Sequence, residues 1–169
     1  MPRVLIVIGA LVVVLAGAIV WQRANPLVLR VETEIEASAD QVWNVLADRA
    51  AYPEWNPFIV RSEGELAVGA TITNVMRSGG TDRTFTPTLL AVTPGRELRW
   101  IGRLYVPGLF DGEHSFVIEE LGPGRVRLVQ EETFKGALVP FLTGMLRGET
   151  LPGFRAMNDT LAVRAAATR

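Results

Sequence analysis

Cysteine is absent from the 169-residue sequence, and histidine occurs once. The first absence excludes disulfide bonds and thiolate metal sites, and the second leaves no histidine cluster that could bind a metal. We therefore expect no metal and no cofactor. The net charge is −1, and the charges form no block of one sign. Nucleic acid is thus not an expected partner, because it requires a clustered basic surface.

Two common catalytic patterns are also missing. The glycines of Ser78-Gly79-Gly80 are not followed by the lysine and helix of a phosphate-binding loop. The sequence has no Gly-x-Ser-x-Gly turn of the kind that presents a nucleophilic serine. We therefore assign no catalytic residue and favour a binding protein over an enzyme.

A long apolar run opens the chain. Val4 to Trp21 carries no charge, and as a helix it would measure roughly 27 Å, close to the thickness of a bilayer's hydrocarbon core. Residues 4–22 are therefore predicted to be a transmembrane helix or signal anchor, which predicts a membrane protein with a single-pass N-terminal anchor. Two alternatives stay open: a signal peptide cleaved after Ala18, and a buried helix of the folded domain.

The remaining chain is predicted to be a linker, 23–27, and one folded domain, 28–168. Alternating apolar residues predict a strand near its start, and Ser38 with Gln41 forms the sequence pattern of a helix capping box. Helical periodicity follows Gly136, and Pro152 predicts a kink or a break in that helix. Short connections between the strands predict antiparallel pairing and an α+β class. The later strands are expected at 58–66, 70–77, 82–93, 96–105, 113–121 and 125–135.

Three segments resemble the START-like superfamily, also called SRPBCC or polyketide cyclase/dehydrase-like. They are Ile35 to Trp43, Tyr52 to Phe58, and Glu132 to Gly136 together with Gly153 to Leu161. The resemblance implies a helix-grip fold, in which a curved antiparallel sheet of about seven strands surrounds a long C-terminal helix. It also implies an internal cavity that holds a small hydrophobic molecule or lipid.

His114 and Glu132 are the first candidate ligand-binding residues. Continuing the pairing from the Gly122-Pro123-Gly124 turn places His114 opposite Glu132. The same register places Phe116 opposite Gln130, and all four side chains are expected to point inward. The His-Glu pair is interpreted either as an acid/base couple or ligand anchor, or as a satisfied polar pair of the core.

Three further residues complete the predicted ligand-binding set. Trp100 lies on an inward strand face, where it is expected either to stack on a ligand or to pack in the core. Met145 and Met157 on the last helix would provide an adaptable apolar wall, or simply fill gaps.

These observations lead to three functional hypotheses. The first is membrane-tethered, non-catalytic binding of a small hydrophobic or amphipathic ligand in an internal cavity. The second is an enzyme resembling polyketide cyclases/dehydrases, with His114 and Glu132 as the acid/base candidates. The third is a structural or assembly factor that docks partners through an exposed aromatic in the loop Pro107 to Phe110.

Overall fold

The computed structural model describes residues 2–167, which form four α-helices, one 3₁₀ turn and eight strands. Residue 168, the last residue of the predicted domain, lies outside the described part. The helices are α1 (Pro2–Ala24), α2 (Ala39–Ala47), α3 (Tyr52–Trp55) and α4 (Val139–Ala167), and the 3₁₀ turn is Arg49–Ala51. The strands are β1 (Leu27–Ile35), β2 (Ile59–Glu63), β3 (Thr73–Ser78), β4 (Thr81–Phe85), β5 (Thr88–Thr93), β6 (Glu97–Arg103), β7 (Asp111–Gly122) and β8 (Arg125–Lys135).

The strands form two antiparallel sheets. One sheet has the order β1-β8-β7-β6-β5 and the other has the order β2-β3-β4. The strand predicted at 82–93 is divided into β4 and β5. Pro87 lies at the division, and a proline cannot donate a hydrogen bond to a strand ladder. A bridge between Thr71 and Thr88 joins the sheets, and Ile72 N donates to Pro87 O beside it.

The predicted α+β architecture is confirmed: a curved antiparallel sheet packs around a long C-terminal helix in a helix-grip-like fold. The sheet differs from the expected seven strands because it is built from eight strands in two parts. Pro152 left open one kinked helix or two helices, and the structure shows one helix, α4, that continues through the proline. Its buried side chains recur at helical spacing and pack chiefly against β1, β8 and α2; they include Leu146, Phe154, Met157, Leu161 and Ala165.

The capping box predicted for α2 is present. The backbone N–H of Gln41 donates to Ser38 Oγ at 3.2 Å, and the backbone N–H of Ser38 donates to Gln41 Oε1 at 2.8 Å. Tyr52 then connects α3 to this helix, because its hydroxyl donates to the carbonyl of Leu46 at 2.7 Å. Complete burial raises the pKa of Tyr52 well above its usual value. Tyr52 is therefore a neutral hydrogen-bond donor that holds α3 on the core.

Among the side chains of α1 that the structure describes, none belongs to the buried core, so they give the buried-helix alternative no support. Among residues 2–167, no helix is found that is long and apolar enough to cross a membrane. This finding corrects the single-pass anchor predicted at residues 4–22 and the membrane localisation drawn from it. Signal cleavage after Ala18 stays a prediction.

Candidate functional site

Three adjacent strands, β6, β7 and β8, place Trp100, His114 and Glu132 in one row across the sheet. On β7 and β8 His114 lies opposite Glu132 and Phe116 opposite Gln130, which confirms the predicted register. The turn differs from the prediction, because Gly122 rather than Leu121 pairs with Arg125 after an irregularity in β7. On the other side of β7, His114 lies opposite Trp100 of β6.

This row borders a cavity of about 360 Å³ between the concave sheet and α4. The volume is at the lower end of the range for pockets that bind small molecules. Apolar side chains provide most of the wall: Phe58, Ile59, Met76, Phe85, Trp100, Leu104, Phe110, Phe134, Leu142, Met145 and Leu146. The remaining lining residues are Arg83, Thr84, Gly102, Arg103, Gly112, His114, Glu132 and Thr150.

Two larger hollows lie elsewhere on the described surface, with volumes of about 440 and 550 Å³. The larger one has charged residues in its wall, including Arg49, Arg61 and Glu63. Neither contains a residue of the His114 row. We therefore place the candidate site in the smaller cavity, where an apolar wall and a few polar groups converge.

The imidazole of His114 is held on all sides. It is 3% exposed and stacks on Trp100 with ring centroids 4.6 Å apart and planes 5° from parallel. Its Nδ1 lies 3.5 Å from Glu132 Oε2, and its Nε2 lies 3.2 Å from the side-chain nitrogen of Gln130. With the Gln130 amide oriented in this way, its nitrogen donates to Nε2, and a neutral ring would then carry its proton on Nδ1, facing the carboxylate.

Glu132 is the more accessible member of the pair, with 18% of its side chain exposed against 4% for His114. Among the described lining residues it is the one carboxylate. A carboxylate can accept a proton or a hydrogen bond from a molecule in the cavity. The geometry therefore presents Glu132 to the cavity and places His114 beside it as an orienting partner.

The predicted site residues fall into two layers. His114, Glu132, Trp100 and Met145 line the cavity. Phe116, Gln130 and Met157 are fully buried behind that wall and are not lining residues. Gln130 contacts His114 and lies 3.9 Å from the Met157 sulfur, and the Phe116 ring centroid is 4.8 Å from the His114 ring. Phe116 and Gln130 thus contact the imidazole directly, and Met157 contacts Gln130 behind it.

The loop before β7 corrects another expectation. Phe110, proposed from the sequence as an exposed docking aromatic, packs on Phe134 at 5.4 Å and lines the cavity. The exposed aromatic of this loop is Tyr105, which is 89% exposed and has a φ of +59°. The sequence does not indicate that Phe110 turns inward and Tyr105 outward, because the conformation of the loop decides it.

Two further groups of lining residues were not predicted from the sequence. One is β4, where Arg83 and Phe85 are lining residues; their strand meets the site only through the tertiary fold. The other is the glycine pair Gly102 and Gly112. Glycine inside a strand often marks a place where a ligand or another group approaches the backbone closely, so these two residues could have been found.

No three His, Asp or Glu side chains converge on a metal-binding arrangement within residues 2–167. The residues that the structure brings together are an acid, an imidazole and an aromatic wall. This combination can bind an apolar molecule and exchange a proton or a hydrogen bond with it.

We expect a neutral His114 to carry its proton on Nδ1. Because the chain has one histidine, a long-range proton–nitrogen correlation spectrum of untagged protein gives one imidazole pattern. The pattern expected for the neutral ring has a protonated Nδ1 and a nonprotonated Nε2. Replacing Gln130 by Leu should remove the donor to Nε2 and alter the nitrogen shifts. A predominant Nε2–H form in the native protein would contradict the assignment.

Comparison with known proteins adds a family and a set of solved structures. A family model described as "polyketide cyclase / dehydrase and lipid transport" matches residues 26–166. A search of curated proteins gave no match.

Several solved structures share the fold. The Zhui aromatase/cyclase from Streptomyces sp. R1128 is 19% identical, with a TM-score of 0.69 over 86% of this chain and 97% of that chain. Norcoclaurine synthase from Thalictrum flavum, in complex with dopamine and hydroxybenzaldehyde, is 15% identical, with a TM-score of 0.66 over 85% and 88%. A START superfamily protein from Mycobacterium smegmatis is 21% identical, with a TM-score of 0.60 over 82% and 96%. At these identities the likeness shows the fold alone.

Proposed function

The chain belongs to the polyketide cyclase/dehydrase and lipid transport family, and from this premise we propose that it acts on a small, mostly apolar molecule held in the cavity. The reaction class is acid/base cyclisation or dehydration. The observation that carries the proposal is the Glu132 carboxylate, which faces an apolar cavity and is paired with His114 at 3.5 Å. The functional unit is residues 28–168.

The chemistry follows from the groups present. A carbon between two carbonyl groups loses a proton readily, and Glu132 would accept that proton. The resulting carbanion would attack a third, more distant carbonyl carbon of the same molecule, forming a carbon–carbon bond and an alkoxide. Protonated Glu132 would return the proton to the alkoxide. The new hydroxyl group and a proton from the adjacent carbon would then leave together as water, with a carbon–carbon double bond in their place. The cavity would contribute by holding the flexible chain in a reactive shape, as expected for intramolecular reactions.

The second candidate is a carrier that binds the same kind of molecule without changing it. It is favoured by the enclosure of His114. The ring stacks on Trp100 and also contacts Phe116 and Phe154, and both ring nitrogens face protein groups. An imidazole held in this way is well suited to orienting a carboxylate that anchors a ligand. Both candidates require a small hydrophobic or amphipathic ligand, and they differ in whether Glu132 exchanges a carbon-bound proton.

Binding is tested with the full chain. Native mass spectrometry of gently purified protein should show a co-purifying small molecule, or saturable binding of naphthol as a probe. Replacing Trp100 by Ala should weaken naphthol binding roughly tenfold, in line with the contribution of one aromatic contact. Glu119→Gln, on the exposed part of β7, is the matched control. If the native protein binds neither apolar phenols nor fatty acids, both candidates fail.

A further inference from the structure

Two glycines leave part of the cavity wall without side chains. Gly102 of β6 and Gly112 of β7 lie opposite each other in the strand register and both line the cavity. The next inward pair along the same two strands is Trp100 and His114. Neither glycine has a positive φ, so the backbone conformation does not require glycine at these positions. The reason must lie in the space that a side chain would occupy.

At Gly112 that space is already taken. A Cβ atom there would lie 2.8 Å from Glu132 Oε1 and 3.3 Å from the Phe134 ring. The first distance is shorter than a van der Waals contact, so any side chain would displace the carboxylate. One carboxylate oxygen of Glu132, Oε1, therefore lies over the backbone of Gly112, while the other, Oε2, lies 3.5 Å from His114 Nδ1.

At Gly102 the space is open. A Cβ atom there would have one neighbouring heavy atom within reach, the carbonyl oxygen of Gly112 at 4.0 Å. Protein packing thus does not explain a glycine at this position, although glycine inside a strand costs stability. Trp100, two residues earlier, points to the same face of the strand, so a side chain at 102 would extend into the cavity.

We propose that the two glycines have separate functional roles. Gly112 is a positioning residue that leaves the Glu132 carboxylate room to lie beside His114. Gly102 sets the largest ligand that the cavity accepts, because part of the bound molecule would occupy the space over the Gly102 backbone. The role of Gly102 rests on the proposed function, whereas the role of Gly112 is tested on the protein without a ligand.

The test of Gly112 uses Gly112→Ala alone and combined with Glu132→Asp. The single variant should change the nitrogen shifts of His114, because the carboxylate moves away from Nδ1, and should lower the unfolding temperature by about 2–4 °C, the effect of roughly 1 kcal/mol in a chain of this size. In the Glu132→Asp background the added methyl group meets a shorter side chain, so its cost should fall by half or more.

The control is Gly144→Ala on α4, where a Cβ would meet no atom within 4 Å; it should leave the His114 signals unchanged. Unchanged His114 signals in Gly112→Ala, or an equal temperature cost in both backgrounds, would overturn the positioning role. If the single variant does not fold, the double variant still decides, because recovery of folding requires a clash with Glu132.

The test of Gly102 compares two probes of different size. Gly102→Val should weaken the binding of naphthol at least about tenfold more than the binding of phenol, because a three-carbon side chain removes space that the larger molecule needs. Its His114 signals should keep the native pattern. Equal losses for both probes, or none, would overturn the size role. If native protein binds neither probe, the Gly102 role fails; the proposed function fails only if fatty acids do not bind either, and the His114 signals still decide the role of Gly112.

Discussion

Replacing Glu132 by Gln is expected to reduce the rate constant of the chemical step by about 10²–10⁴-fold, the usual contribution of a positioned general acid or base. The measurement is single-turnover conversion of a soluble poly-β-ketone thioester, followed by the absorbance of the cyclised product. The amide has the shape of the carboxylate, and its oxygen can still accept from His114 Nδ1. Substrate affinity should therefore change by less than about threefold, and the loss should appear in the chemical step.

A matched control lies one residue earlier in the same strand. Glu131 points to the outer face of β8, where its carboxylate lies 3.2 Å from an Arg30 guanidinium nitrogen. This exposed pair contributes little to stability, and Glu131→Gln should leave turnover unchanged. If Glu132→Gln converts the thioester as fast as the native protein, the acid/base role is wrong. If all three proteins bind the thioester and none converts it, the carrier function is favoured instead.

Replacing Gly153 by Ala is expected to destabilise the fold by about 3 kcal/mol, at the upper end of the usual cost of overpacking. A Cβ atom at this position would overlap two ring carbons of Phe58, Cδ2 and Cε2. Phe58 is itself 3% exposed and packs edge-on against Phe154, with ring centroids 5.6 Å apart. The ring could move only towards the cavity that it also lines, at the expense of its contact with Phe154.

The sign of this effect is unusual, because alanine normally stabilises a helix relative to glycine by roughly 1 kcal/mol. Gly148→Ala on the same helix provides the comparison: a Cβ there would meet no atom within 4 Å. Chemical denaturation of the two variants should move the free energy of unfolding in opposite directions. Because Phe58 lines the cavity, Gly153→Ala should also weaken naphthol binding. Equal stability of the two variants would contradict the close packing of Phe58 on α4.

The register of β7 and β8 could be predicted because local patterns determine it. A short turn and alternating inward residues specify which side chains face each other, and His114 was placed opposite Glu132 on that basis. The division at Pro87 was also readable in principle, since proline interrupts strand pairing. At Pro152 the sequence left open a kinked helix or two helices, because proline disturbs a helix locally and the tertiary packing of the apolar residues decides whether the helix continues.

The layers of the site could not be predicted in the same way. Phe116 and Gln130 share an inward face with His114, and alternation cannot tell a side chain that lines a cavity from one buried behind its wall. That distinction depends on where α4 packs against the sheet. The sequence around Met157 predicts a helix but does not predict that position. The contribution of Phe85 depends on how the smaller sheet folds towards the larger one, through contacts distant in sequence.

The division of the sheet gives the two walls of the cavity unequal stiffness. Trp100, His114 and Glu132 lie on central strands of the five-stranded sheet, each hydrogen-bonded on both sides. Phe85 and Arg83 lie on β4, an edge strand of the three-stranded sheet. Deforming the first wall disturbs backbone hydrogen bonds on both sides of each strand, whereas β4 is held by a ladder on one side only. In the proposed function, the acid/base pair would thus lie on the more firmly held wall, and we expect the β4 wall to adapt to differently shaped molecules.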